Sequence, residues 1–213
     1  MKLLIISGTP KTDGITYSFV TTAEETAKNL GISCDTIRLH GKEGSDIENL
    51  EKCKMCRDGW GVCFKEHYCI FGEKDGFTAL QKKVQEADAF VYITPVYWGN
   101  MSEEMKTFID KLRRCEATKQ WDDRESEVSF LKGKPSIIVA NAGGGGGGTI
   151  TTFLEIKRAI VHMDGDAWPR EKAGIFDMIA VNRWNQVYKR ETLKAAIAEM
   201  YAYHNGKEYV QMN

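Results

Sequence analysis

The feature that most constrains this chain is a regular alternation of short, wholly apolar runs with stretches whose apolar residues recur at helical spacing. Leu3 to Ser7 is the first run and ends at a Gly-Thr-Pro turn. Phe19, Val20, Ala23, Ala27 and Leu30 then share one helical face, with Gly31 placed as a C-terminal cap. Ile32 to Leu39 alternates apolar and polar residues and predicts a second, less buried strand. Phe77, Leu80, Val84 and Ala87 predict a helix with Asp75 as its N-cap, and Ala89 to Ile93 a buried strand. Met105, Phe108, Ile109 and Leu112 predict the next helix, with Glu103 and Glu104 in its first turn, where the dipole favours negative charge. Ser136 to Ala140 is a further buried run, followed by helical spacing at Ile150, Phe153, Leu154, Ile160 and Val161. Ile175 to Val181 predicts a fifth strand, and Leu193, Ala196, Ile197 and Met200 a last helix.

Strands that alternate with amphipathic helices predict an α/β fold with a parallel sheet covered on both faces. Right-handed crossovers place every strand's carboxyl end on one edge, and ligands bind outside that edge. A length of 213 residues fits one domain spanning 1–213, with a cysteine-rich insertion at about 48–75 and a charged loop at about 117–132 that carries Trp121. The 29 basic and 30 acidic side chains nearly cancel, which predicts neither a nucleic-acid nor a membrane partner. The first apolar run is too short for the core of a secretory leader, and no run is long enough to span a bilayer, so the expected location is the cytoplasm.

Three loops fall at the active edge. Ser7 to Thr16 carries hydroxyls at Ser7, Thr9, Thr12 and Thr16, one cation at Lys11 and a helix entry, a donor set suited to a phosphate monoester. It lacks the Gly-Lys-Ser/Thr of a nucleotide P-loop, and a plain capped turn is the competing reading. Thr94 to Ser102 places Tyr97 and Trp98 beside Gly99 and Asn100, either as a wall for a flat heteroaromatic ligand or as ordinary packing. Gly143 to Gly148 is costly to order and brings backbone N–H groups close to a ligand. It also satisfies Gly-x-Gly-x-x-Gly, but after the fourth strand rather than in a first βαβ unit; a mobile surface loop is the alternative.

Taken together, Ser-Gly-Thr-Pro-Lys, Thr-Pro-Val-Tyr-Trp-Gly and the Ala-Gly-Gly-Gly run resemble the NADPH-dependent FMN reductase branch of the flavodoxin superfamily, over about residues 1–150. The resemblance implies a three-layer, doubly wound flavodoxin-like fold with a five-stranded parallel sheet of order 2-1-3-4-5. It implies FMN as cofactor, its phosphate held by Ser7, Thr9, Lys11, Gly14, Ile15 and Thr16. Pro95, Val96, Tyr97, Trp98, Gly99 and Asn100 would line the ring, and Asn141, Ala142, Gly143, Gly144 and Gly145 its pyrimidine end. NAD(P)H is the implied hydride donor, with a quinone, a flavin or an iron–sulfur centre as acceptor. A homodimer or higher homo-oligomer is implied too. No side chain stands out as a catalytic acid or base, and the chemistry would be the cofactor's.

Cys53, Cys56, Cys63 and Cys69 form a compact cluster suited to zinc, an iron–sulfur cluster or free thiols. His67 lies within it and reads as a solvated loop residue or a substitute zinc ligand, while Cys34 and Cys115 read as bystanders. The iron–sulfur flavoproteins of this superfamily carry a four-cysteine motif after the second strand, which implies a [4Fe–4S] cluster on Cys53, Cys56, Cys63 and Cys69. Their third cysteine is separated from the second by two residues, a position where this chain has Gly59. The rival classes are a flavodoxin-type electron carrier and a metal-binding or redox-sensing module on the same scaffold.

Overall fold

The computed structural model describes residues 1–40, 50–56, 61–117, 119, 128–168 and 178–206. In chain order the elements are β1 (Lys2–Ser7), α1 (Gly14–Asn29), β2 (Ser33–Arg38), α2 (Val62–Lys65), α3 (Phe77–Glu86), β3 (Ala89–Tyr97) and β4 (Asn100–Met101). Then come α4 (Glu103–Glu116), β5 (Pro135–Asn141), α5 (Thr149–His162), β6 (Asp166–Ala167), β7 (Ile179–Val181) and α6 (Gln186–His204).

The apolar strands alternate between two cores, as a period of two requires. Leu4, Ile6, Phe90, Tyr92, Ile138 and Ala140 face α3, α4 and α5. Leu3, Ile5, Val91, Ile93, Ile137 and Val139 face α1 and α6. Both faces of the sheet are thus covered, which gives the expected three layers and accounts for strands that read as unbroken apolar runs. β2 lies at an edge, and its exposed and half-buried residues match its weaker alternation.

The sheet order is β2-β1-β3-β5-β6, with β7 also parallel to β5 and β4 antiparallel to β3. The expected order 2-1-3-4-5 holds for the parallel strands, but among the described residues the sheet has seven strands, not five. The fifth position is shared. β6 pairs with Pro135 and Ser136 at the start of β5, and β7 with Val139 to Asn141 at its end. Of the predicted strand Ile175 to Val181, Ile179–Val181 is β7, and residues 175–177 lie outside the described residues. The extra strand β4 arises because β3 runs past Ile93 and folds back through Trp98 and Gly99. Both have positive φ (51° and 83°), the conformation that a two-residue hairpin turn matching the strand twist demands.

Three further readings change. The cysteine-rich insertion expected at about 48–75 contains the short helix α2. The N-cap of α3 is Gly76, while Asp75 accepts from the Phe77 N–H at 3.2 Å from one position earlier. The excursion at 117–132 is buried at its base. There Glu116 pairs with Lys119 at 3.1 Å and accepts from the Phe130 N–H and the Gln81 amide. Trp121 lies outside the described residues.

Asp75 also forms an ion pair with Lys111 of α4, and both side chains are almost wholly buried. Lys111 further donates to the Glu51 carbonyl at 3.4 Å and sits 5.0 Å from the centre of the Phe77 ring. This one cation ties the cysteine-rich segment and α3 to α4. A buried charge that loses its partner is destabilising by about 3–5 kcal/mol, more than the pair itself contributes. Asp75→Asn is therefore expected to lower unfolding free energy by about that amount. The double variant Asp75→Asn with Lys111→Met should recover part of the loss, as read by urea denaturation.

Candidate functional site

The loops after β1, β3 and β5 meet at the carboxyl edge of the sheet, and specific contacts join each pair. Between the first and second, the Gly8 N–H donates to the Ile93 carbonyl at 2.9 Å. Gly8 also packs so closely that a Cβ there would lie 2.7 Å from Ser102 Oγ and 2.9 Å from Met105 Cβ. Between the first and third, Asn141 Nδ2 donates to Thr16 Oγ1 at 2.7 Å. Between the second and third, a Cβ on Gly148 would fall 2.4 Å from Gly99 Cα, and Thr152 Oγ1 donates to the Gly99 carbonyl at 3.4 Å.

All seventeen residues singled out for FMN lie in these loops or the strand ends that feed them. Ser7, Thr9, Thr16, Pro95, Asn141 and Ala142 are buried beneath the edge. Lys11, Gly14, Tyr97, Trp98, Asn100 and Gly143 to Gly145 are exposed on it, with Ile15, Val96 and Gly99 between. Two buried polar atoms here, Ser7 Oγ and Asn141 Oδ1, have no hydrogen-bond partner among the described residues. Buried polar atoms are nearly always satisfied, so a polar ligand over this edge fits the two orphans. The Asp13 N-cap makes no side-chain bond to α1, and the first turn of α1 holds no acid. Its leading N–H groups and positive dipole end thus favour an anion.

The glycine run supplies the third wall. Gly144, Gly146 and Gly148 are left-handed (φ 59°, 85° and 82°), a conformation that favours glycine. Around Gly143, Gly144 and Gly145 a Cβ would meet nothing within 4 Å. The run therefore borders open space at one end and is clamped at the other.

A fourth loop at this edge was not singled out from the sequence. Asn182 to Asn185 follows β7, and the Arg183 N–H donates to the Gly144 carbonyl at 3.3 Å. The signal was available: two asparagines three apart straight after an apolar strand announce a side-chain-stabilised turn.

The four clustered cysteines come together on the α4 side. Cys53, Cys56, Cys63 and Cys69 line a hollow of about 430 Å³, open mouth included, with Lys111, Arg114 and Cys115 from one face of α4. Cys115 is thus a fifth thiol lining the hollow. His67 is buried, not solvated, and its carbonyl accepts from the Gln81 amide at 3.2 Å; it does not line the hollow. Gly59 lies outside the described residues. Among the described residues no three ligating side chains converge into a metal-binding group. Burial pushes the Cys63 thiol up, neighbouring Cys56 and Cys53 add to the effect, and Arg114 opposes it. Burial likewise pushes Cys115 up, with Cys63 next in effect. The donor set suits a thiolate-bound group beside two cations, but the ligand geometry is not preformed.

Residues 1–163, of 213, match the family described as NADPH-dependent FMN reductase. The chain belongs to that family. Within and around the family, the chain is similar to an iron-sulfur flavoprotein of Archaeoglobus fulgidus, 35% identical over 113 residues that cover 53% of this chain and 49% of that one. It is also similar to the FMN-dependent NADH:quinone oxidoreductase of an Exiguobacterium species, 25% identical over 72% of this chain and 74% of that one. Among solved structures, the NAD(P)H:quinone oxidoreductase of Methanothermobacter marburgensis shares the fold, with a TM-score of 0.61 at 12% identity over 100% of this chain and 99% of that one. The chain spans about half the length of the iron-sulfur flavoproteins it matches. No helix among the described residues is long and apolar enough to cross a membrane.

The glycine run separates two kinds of substitution. Gly148→Ala must displace the hairpin backbone and strain a left-handed position, at a cost of about 1–3 kcal/mol. It should weaken FMN binding at least tenfold together with a lower melting temperature. Gly145→Ala meets open space and should leave the melting temperature unchanged; any loss of FMN affinity there reports ligand proximity alone. Cys34 offers a pH readout. Partial desolvation by its neighbours, then the Glu24 and Asp35 carboxylates, raise its pKa to about 11, so its thiolate is scarce at neutral pH although solvent reaches the residue. Its alkylation by iodoacetamide should be slow at pH 7 and rise about tenfold per pH unit towards that value, as followed by peptide mass spectrometry.

Proposed function

We propose that the protein is an FMN-dependent oxidoreductase that takes a hydride from NAD(P)H and delivers electrons to a quinone, a flavin or an iron–sulfur acceptor. The observation that carries this reading is the joining of three loops at one sheet edge around two unpartnered buried polar atoms, Ser7 Oγ and Asn141 Oδ1. Family membership and the similarity to an FMN-dependent NADH:quinone oxidoreductase support it.

FMN supplies the redox chemistry when bound, accepting hydride on its ring and passing electrons on singly or in pairs. The chain's part is to bind and orient. Ser7, Thr9, Lys11, Gly14, Ile15 and Thr16 would hold the phosphate at the α1 N-terminus, where hydroxyls, one ammonium and backbone donors combine. Pro95, Val96, Tyr97, Trp98, Gly99 and Asn100 would line the ring. Asn141 to Gly145 would set amide and backbone donors against its pyrimidine end, where negative charge collects on reduction. No side chain is assigned a proton-transfer role. The exposed stripe Ile150, Leu154 and Val161 on α5 supports a homodimer through that helix.

A second reading concerns the thiol hollow. Cys53, Cys56, Cys63 and Cys69, with Cys115 beside them, would hold an iron–sulfur or zinc centre; what supports it is their gathering around one hollow beside Lys111 and Arg114. Iron, zinc and acid-labile sulfide assays on protein purified without oxygen test it. Less than one metal atom per chain leaves the cysteines as free thiols.

Absorption spectroscopy tests the main reading. Anaerobically purified protein should show the two visible bands of oxidised flavin and bleach on addition of NADPH or NADH. A colourless protein that takes up no added FMN overturns it. Asn141→Ala, which loses the bond to Thr16 and the adjacent orphan oxygen, should weaken FMN binding about tenfold in a fluorescence titration.

A further inference from the structure

The loop after β7 is built unlike an ordinary surface turn. The Asn182 N–H donates to Asn185 Oδ1 at 2.8 Å, and the N–H groups of Trp184 and Asn185 both donate to Asn182 Oδ1 at 2.9 Å. Asn185 Nδ2 donates to the Ala180 carbonyl at 3.0 Å. On one side the loop is docked to the glycine run, through the Arg183 N–H and through Asn182, whose Cβ lies 3.0 Å from where a Cβ of Gly146 would stand. On the other, Arg190 Nη1 reaches Ser18 Oγ at 3.3 Å and ties α6 to α1.

The backbone is thus fixed from two sides, yet the two side chains at its tip touch little. Trp184 is 74% exposed. Arg183 is exposed, and among the described residues its guanidinium has no ion pair or hydrogen bond. A rigidly mounted indole beside an unpaired guanidinium adds nothing to the core. It does match a ligand that carries an aromatic base and a phosphate. Indole faces stack on purines, and a guanidinium binds phosphate oxygens in a two-point fork.

We infer that Arg183 and Trp184 form the site for the 2′-phosphoadenosine end of NADPH. The inference rests on the oxidoreductase reading above. The order β1, β3, β5, β7 across the sheet sets the proposed flavin phosphate loop at one end and this loop at the other, with the ring-lining loops between. A dinucleotide laid over the ring therefore reaches Arg183 without competing for Lys11. The Arg183 guanidinium selects the dinucleotide that carries the extra phosphate. Free FMN, as an acceptor, has the same ring-plus-phosphate chemistry, and the test separates the two sources.

The test is calorimetric titration of the full chain, with and without saturating FMN, using 2′,5′-ADP and 5′-AMP as probes. The expected result is that 2′,5′-ADP binds at least tenfold more tightly than 5′-AMP. Arg183→Gln should erase that difference, and Trp184→Ala should weaken both probes. Both side chains are exposed, so neither change disturbs the core. Equal affinity for the two probes, retention of the difference in Arg183→Gln, or displacement of 2′,5′-ADP by a second equivalent of FMN overturns the proposal. Failure to bind FMN at all overturns the oxidoreductase reading instead, and the 2′,5′-ADP titration without FMN still decides whether this site exists.

Discussion

The pairing of β3 with both its neighbours is the interaction on which the rest of the molecule depends. β3 registers Ala89 to Ile93 against Leu3 to Ser7 on one side, and Phe90 to Pro95 against Ser136 to Asn141 on the other. A shift of one residue would exchange the two cores, because side chains on a strand alternate between faces. The same register brings the strand ends to one edge, with Pro95 level with Asn141 and Ser7 level with Ile93. Every contact among the three loops, from Gly8 with Ile93 to Asn141 with Thr16, follows from that alignment.

α4 carries this order away from the edge. It starts at Ser102, whose side chain caps it by accepting from the Met105 N–H at 3.3 Å, directly after the hairpin. It ends by presenting Lys111, Arg114 and Cys115 to the thiol hollow. Its 14 residues span about 21 Å at 1.5 Å each, so hairpin and hollow are opposite ends of one rod. The Lys111–Asp75 pair fastens the cysteine-rich segment to that rod where its short helix has little core of its own.

Most of this was legible in the sequence wherever burial is complete. The runs Leu3 to Ser7, Ala89 to Ile93 and Ser136 to Ala140 are apolar throughout because both faces are covered, and the helices between them show their inner stripes plainly. The misses share one cause, structure held by few and distant contacts. β4 exists because two residues accept positive φ, and one of them is a tryptophan, which no propensity suggests. The division of the fifth strand depends on pairing to β5 and leaves no periodic mark. Cys115 reads as a bystander and Lys111 carries no signal of its own; only the folded chain sets them beside Cys63 and Asp75. His67 read as solvated because its neighbours are polar, whereas a fold-back buries it. The candidate site was legible at its three glycine- and hydroxyl-rich loops and silent at the fourth, where the informative residues are two asparagines that bond to each other.

The shared fifth position also bears on how such a chain can change over generations. β6 ends at Ala167 and β7 begins at Ile179, beside the same strand and in the same direction. The two short pieces hold opposite ends of β5, so the stretch between them can lengthen or shorten without shifting either register. Only β7 leads into the Asn182 to Asn185 loop; β6 ends at the far side of the sheet. Each piece is held by its own pairing to β5, so a lineage can vary the number of residues between them while the Asn182 to Asn185 loop keeps its place.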